Sequence, residues 1–145
     1  MTVAGGECLV TAAEFRQWIE ADALGLPQLD ASFMGGLGEF MVVARMCELK
    51  GLPIATHAWS AAPGVAANLH AAMACPNLVI VEFPPFASSL HTELWSAPPV
   101  LKNGYLQISD QPGLGVKLTD KIKSKFRFQP GTGEFNSVPG KILIT

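Results

Sequence analysis

The sequence predicts an α/β fold built from parallel β/α units. Strand-like and helix-like runs alternate strictly from Thr2 to Glu82, the pattern of strands joined by crossover helices. One run, Leu78–Val81, is a continuous stretch of Leu, Val and Ile, the composition of a strand buried on both faces of a parallel sheet. Alternation alone leaves two architectures open, a piece of a β/α barrel or a small doubly wound sheet.

Each element has a local reason. Thr2 to Gly6 is a short first strand. Thr11 and Glu14 form a capping box, in which hydroxyl and carboxylate each satisfy an orphan N–H at a helix start. Phe15, Trp18, Ile19 and Ala23 then recur at helical spacing as one apolar stripe, and Gly25 closes the helix. Pro27 to Ala31 is a second strand, which delivers Asp30. A Gly-rich turn, Gly35-Gly36-Leu37-Gly38, leads into an apolar helix from Leu37 to Lys50 that Gly51 and Pro53 terminate. Leu52 to His57 is the third strand, and Pro63 suits the first turn of a helix reaching Cys75. Pro76-Asn77 breaks it, and Leu78–Val81 ends at Glu82. Beyond Pro84-Pro85 the rhythm is lost. Pro98, Pro99, Asn103-Gly104 and Pro112 to Gly115 mark turns around one strand candidate, Tyr105 to Ser109, so the tail reads mostly as loop.

Composition excludes several function classes. Ten basic and twelve acidic side chains leave a formal charge of -2, which steers the chain towards neither nucleic acid nor an anionic membrane surface. Charged residues are only 15% of the chain and hydrophobic ones 49%, so a small globule keeps apolar surface that another chain, more of the same chain or a ligand must cover. Cys8, Cys47 and Cys75 fit no metal or redox spacing, and read as buried thiols of a reducing compartment. Met1 to Val10 has no basic leader and no long uncharged apolar run follows, so a cytoplasmic location without a membrane partner is expected.

The chemistry gathers at strand ends. In a β/α barrel reactive side chains stand at the carboxyl ends of strands, and the four strands here end at Glu7, Asp30, His57 and Glu82. Taken singly, each has a structural explanation: a helix-approach carboxylate, a turn residue, a hydrogen-bonded histidine, a surface acid. Four together favour a site. A His bonded to an Asp on the neighbouring strand has its tautomer fixed and its protonated form favoured, which suits general acid/base work near neutral pH; His57 and Asp30 fit that dyad. A carboxylate such as Glu7 can hold Mg2+, which stabilises an enolate. Glu82, kept protonated, could donate to the same oxyanion.

Together these residues resemble the C-terminal barrel of the enolase superfamily, in the mandelate racemase/muconate lactonizing enzyme branch. The resemblance covers about residues 3–127 and rests on Gly6-Glu7, on Asp30 followed by Gly35 to Glu39, on Pro53 to His57, on Val81-Glu82 and on Gln111 to Val116. It implies the C-terminal half of a (β/α)8 TIM barrel: half-barrel β/α units over residues 1–95, a closing segment over 96–127 and an irregular tail over 128–145. By the same resemblance Glu7 is the third carboxylate ligand of an essential Mg2+, Asp30 and His57 are the Asp/His dyad of the sixth and seventh strands, and Glu82 is the acid of the eighth. That dyad is similar to the mandelate racemase-like subgroup, with its acid-sugar dehydratases and some racemases. The implied reaction removes the proton alpha to a carboxylate, and the implied partner is a carboxylate-bearing small molecule such as an acid sugar.

Members of this family are more than twice as long, with an N-terminal capping domain, a further base and two further acidic metal ligands that this sequence does not contain. The expectation is a chain that resembles the second half of a barrel, inactive alone, and either a homo-oligomer or paired with a separate N-terminal half. Two other classes compete: a non-catalytic half-barrel assembly module, and an unrelated doubly wound ligand-binding domain that would be a closed monomer. Other residues read more plainly. His70 belongs to a helix face, His91 lies in a loop, and Trp59 either lines a pocket or packs. The Gly35 to Gly38 turn is a tight β/α turn before it is a phosphate cradle, and the run Lys117, Lys121, Lys123, Lys125, Arg127 is a solvated face.

Overall fold

The first helix forms where its capping box places it. In the computed structural model of the chain, described over residues 1–84 and 88–128, Thr11 Oγ1 accepts from Glu14 N at 3.2 Å and Glu14 Oε2 accepts from Thr11 N at 2.9 Å. The helix α1 (Ala12–Glu20) buries Phe15 and Ile19. It ends at Glu20, capped by Ala21, and Asp22 then turns to φ 51, so Ala23 lies off the helix; Trp18, expected in the apolar stripe, is 46% exposed.

Strands β1 (Ala4–Gly5), β2 (Leu26–Leu29), β3 (Ile54–Thr56) and β4 (Leu78–Val81) form one parallel sheet in the order β1-β2-β3-β4. They are connected by α1, α2 (Leu37–Leu49) and α3 (Ala62–Met73). Each unit lays its strand beside the previous one without reversal. A doubly wound sheet reverses at a switch point; continuous winding is barrel topology, so the fold is an α/β half-barrel. Phe15, Leu29, Phe40, Val43, Cys47 and Ile54 are fully buried in its core, each contributing about 1.5–3 kcal/mol by leaving water.

Three expectations are corrected. The strand β4 is an edge among the described residues, where β3 alone pairs with it, not a strand buried on both faces: Val79 is 63% and Ile80 59% exposed. A register shift there pairs Ile54 with Leu78 but Ala55 with Ile80, the extra residue of a bulge. Cys47 and Cys75 are buried as expected, whereas Cys8 is exposed just past the short β1. Third, the tail holds regular structure. Helix α4 (Ser89–Leu94) contains His91, the hairpin β5 (Val100–Lys102)–β6 (Tyr105–Gln107) turns at Asn103-Gly104, and α5 (Asp120–Lys125) starts from a Thr119 cap. Both turn residues have positive φ, as a type I′ hairpin requires. Ile122 packs with Ala62 and Leu94, holding α5 against α3 and α4. Lys123 pairs with Asp120 and Lys125 with Glu93, all on exposed surface, in keeping with a solvated face. Nearly all of the expected irregular tail, residues 129–145, lies outside the described residues. No helix of the described residues is long and apolar enough to cross a membrane.

Candidate active site

Parallel strands deliver their following residues to one edge of the sheet, and the register decides which meet. Leu29 pairs with Thr56, and His57 N continues the ladder by donating to Leu29 O at 2.8 Å. Asp30 and His57 are therefore neighbours, with His57 Nδ1 2.8 Å from Asp30 Oδ2. Asp30 is 1% exposed, and the His57 side chain 13%. Phe33 stands edge-on to the imidazole, ring centroids 6.2 Å apart.

Burial alone pushes the Asp30 carboxyl up. Hydrogen bonds from Asn68, Ser32 and His57 outweigh it and hold the group below its ordinary range. An ionised carboxylate only accepts, so the proton of the 2.8 Å contact sits on His57 Nδ1 and Nε2 is the nitrogen free for chemistry.

Glu7 and Glu82 flank this pair. Gly6, at φ 105, turns the chain off β1; a Cβ there would lie 2.9 Å from Phe15 Cε1, so only glycine admits the turn over that ring. The turn brings Glu7 Oε2 to 3.9 Å from His57 Nε2, ionic reach but too long for a hydrogen bond. Glu7 is exposed and borders a cleft of about 310 Å³ with Cys8, Trp18 and Leu24. On the other side Glu82 N donates to Thr56 O at 3.3 Å, which sets Glu82 beside His57 at the next strand end. Among the described residues its buried Oε2 has no hydrogen-bond partner. Of the four expected residues, then, two are hydrogen-bonded, one is within ionic reach, and the Glu82 carboxylate bonds to none of the others.

Mg2+ demands a near-octahedral shell of oxygens. Among the described residues no group of three or more His, Cys, Asp or Glu side chains could hold a metal ion. Glu7 offers one carboxylate, and its ion-pair contact is an imidazole rather than a second carboxylate. These residues do not by themselves fit the ion.

The family model described as enolase C-terminal domain-like matches residues 1–122. The chain belongs to this family. A D-galactonate dehydratase family member from Pantoea ananatis is 30% identical over 131 residues, spanning 89% of this chain and 31% of the relative. The arabinonate dehydratase of Saccharolobus solfataricus is 27% identical over 125 residues, 86% of this chain and 33% of its own. Among solved structures, a mandelate racemase/muconate lactonizing enzyme from Jannaschia sp. CCS1 superposes with a TM-score of 0.80 at 30% identity, over 92% of this chain and 33% of that one. A protein from Burkholderia xenovorans strain LB400, solved bound to magnesium and fumarate, gives 0.77 at 26%, over 83% and 30%. The chain thus spans about a third of the length of these family members.

Sequence reasoning gave no role of their own to three further side chains. Ser32 sits two residues after Asp30, the spacing of an Asx turn, and donates to Asp30 Oδ1 from N at 2.7 Å and from Oγ at 2.5 Å. Asn68 is fully buried on α3 and donates to the same oxygen at 2.7 Å; its signal was a polar residue on a helix face made by Val65, Leu69 and Ala72. Glu39, within the Gly-rich segment, accepts from Ala12 N at 2.5 Å and ties the start of α2 to the start of α1. Trp59, by contrast, is 57% exposed, and His70 borders a recess with Trp95 and Leu114.

Proposed function

We propose that this chain carries the acid/base half of an enolase-superfamily site that removes the proton alpha to a carboxylate, in an acid-sugar dehydratase or a racemase. The observation behind this reading is the 2.8 Å contact of His57 Nδ1 with Asp30 Oδ2 at adjacent strand ends. Nε2 of neutral His57 takes the α-proton, and Asp30 stabilises the imidazolium that results. In a dehydratase the same imidazolium returns its proton to the departing β-hydroxyl, which leaves as water. In a racemase His57 keeps the proton it took, and a second acid on the opposite face, supplied from outside this chain, delivers a proton to carbon. Glu82 stands at the next strand end, where a protonated carboxyl would donate to the developing oxyanion. Glu7 would offer Mg2+ one carboxylate, the remaining ligands being supplied by a separate N-terminal half, and the isolated chain is inactive.

The experiment is an acid-sugar dehydration screen of the chain alone and of the chain co-expressed with the N-terminal remainder of a dehydratase relative. Turnover in the pair and none in the chain alone is the expected result. A second reading, a non-catalytic half-barrel that oligomerises or pairs with a separate N-terminal half, draws on the exposure of Val79 and Ile80 along the open edge of β4. It predicts association without turnover in every pairing, and that outcome overturns the enzyme reading.

A further inference from the structure

We propose that Asn68 is a positioning residue for the dyad: it locks the Asp30 carboxylate in the plane that keeps the proton of His57 on Nδ1 and leaves Nε2 facing outward. The role rests on the acid/base reading of His57, but its test does not.

A primary amide on the apolar face of α3 is an expensive choice unless its hydrogen bonds are made. They are made. Asn68 Oδ1 accepts from Ala31 N at 2.7 Å, and Nδ2 donates to Asp30 Oδ1 at 2.7 Å and to Gly64 O at 3.2 Å. One side chain therefore joins the segment after β2, the carboxylate, and the first turn of α3. Gly64 permits the approach: a Cβ at that position would come 3.1 Å from Ser32 Cβ and collide with Ser60 Oγ.

The two oxygens of Asp30 are divided between tasks. Oδ1 receives Ser32 N, Ser32 Oγ and Asn68 Nδ2, whereas the contact of Oδ2 is His57 Nδ1. Ser32 belongs to the same turn as Asp30 and can follow the carboxylate if it swings. Asn68 comes from a different element and cannot. With Oδ1 held from α3, Oδ2 has one place to be, and the imidazole must meet it with a donor.

The test reads the tautomer of His57 by imidazole 15N NMR of the 145-residue chain at alkaline pH in wild type, Asn68→Leu, Asn68→Ala and Ser32→Ala. Asn68→Leu keeps roughly the size of the side chain and Asn68→Ala truncates it, and both remove the donor to Asp30. The proposal expects a single Nδ1–H tautomer in wild type, and a fall of about tenfold in the Nδ1–H to Nε2–H ratio in both Asn68 variants, the effect of one charge-assisted hydrogen bond. A wild-type ratio in a folded Asn68 variant overturns it, because the carboxylate then holds its plane without the amide. Should the Asn68 variants not fold, Ser32→Ala decides. Retention of the wild-type ratio there supports Asn68 as the lock, and a tenfold fall gives the role to the turn. Absence of turnover on acid sugars by the chain paired with an N-terminal half, with these tautomers intact, would count against the acid/base reading alone.

Discussion

His57 Nδ1 and Asp30 Oδ2 meet at 2.8 Å across the ends of two parallel strands, with Asp30 1% exposed. The Asp30 carboxyl is held below its ordinary 3.8, burial being outweighed by the donors on Asn68, Ser32 and His57. Its contribution to stability is therefore complete above the unfolded value of 3.8 and is lost as pH falls through the folded value. Chemical denaturation followed from neutral to acid pH should show the midpoint falling below that point. Asp30→Asn should lower stability at neutral pH by about 2 kcal/mol and remove this component of the acid limb. An unchanged acid limb in the variant would contradict the assignment.

Gly6→Ala tests the turn that presents Glu7. The position has φ 105, and the added Cβ would meet Phe15 Cε1 at 2.9 Å. A destabilisation of about 1–3 kcal/mol is expected from the strained backbone and the displaced ring, measurable by urea unfolding. A neutral substitution would mean that Phe15 yields easily and that the turn is not fixed by packing.

The thiols divide by burial. Burial pushes Cys47 up to about 11 and also raises Cys75, so little thiolate forms at either, while Cys8 is exposed. A thiol reagent at neutral pH should label Cys8 alone in the native chain, and all three cysteines after unfolding. Rapid labelling of Cys47 in the folded chain would contradict the core described for α2.

Mg2+ titrated calorimetrically into the chain alone should give no saturable heat, since among the described residues no group of three or more His, Cys, Asp or Glu side chains could hold the ion. Saturable binding that disappears in Glu7→Gln would show that copies of the chain complete an ion site between them.

Much of this molecule is legible in its sequence where local chemistry determines the outcome. The Thr11–Glu14 box starts α1, Pro63 lies in the first turn of α3, and the Leu78–Val81 run is β4 residue for residue. The strand ends could be placed because a parallel strand hands its next residue to the sheet edge, so Asp30 and His57 were visible as neighbours. Tertiary effects were not. Nothing local distinguishes Val79 and Ile80 on an edge strand from the same residues inside a sheet. The tail misled because its prolines mark turns but say nothing of Ile122 and Leu94 packing on Ala62, which holds α4 and α5 in place. Asn68 was passed over because its partner, Asp30, is thirty-eight residues away in sequence.

The central claim is that His57 moves the α-proton of a carboxylate substrate. The most direct measurement is exchange of that hydrogen with deuterium from solvent, over a panel of acid sugars, using the chain completed by an N-terminal half, as wild type and as His57→Asn. The account predicts exchange in wild type and none in His57→Asn, with the circular dichroism of the variant unchanged. Exchange at the wild-type rate in His57→Asn would contradict it.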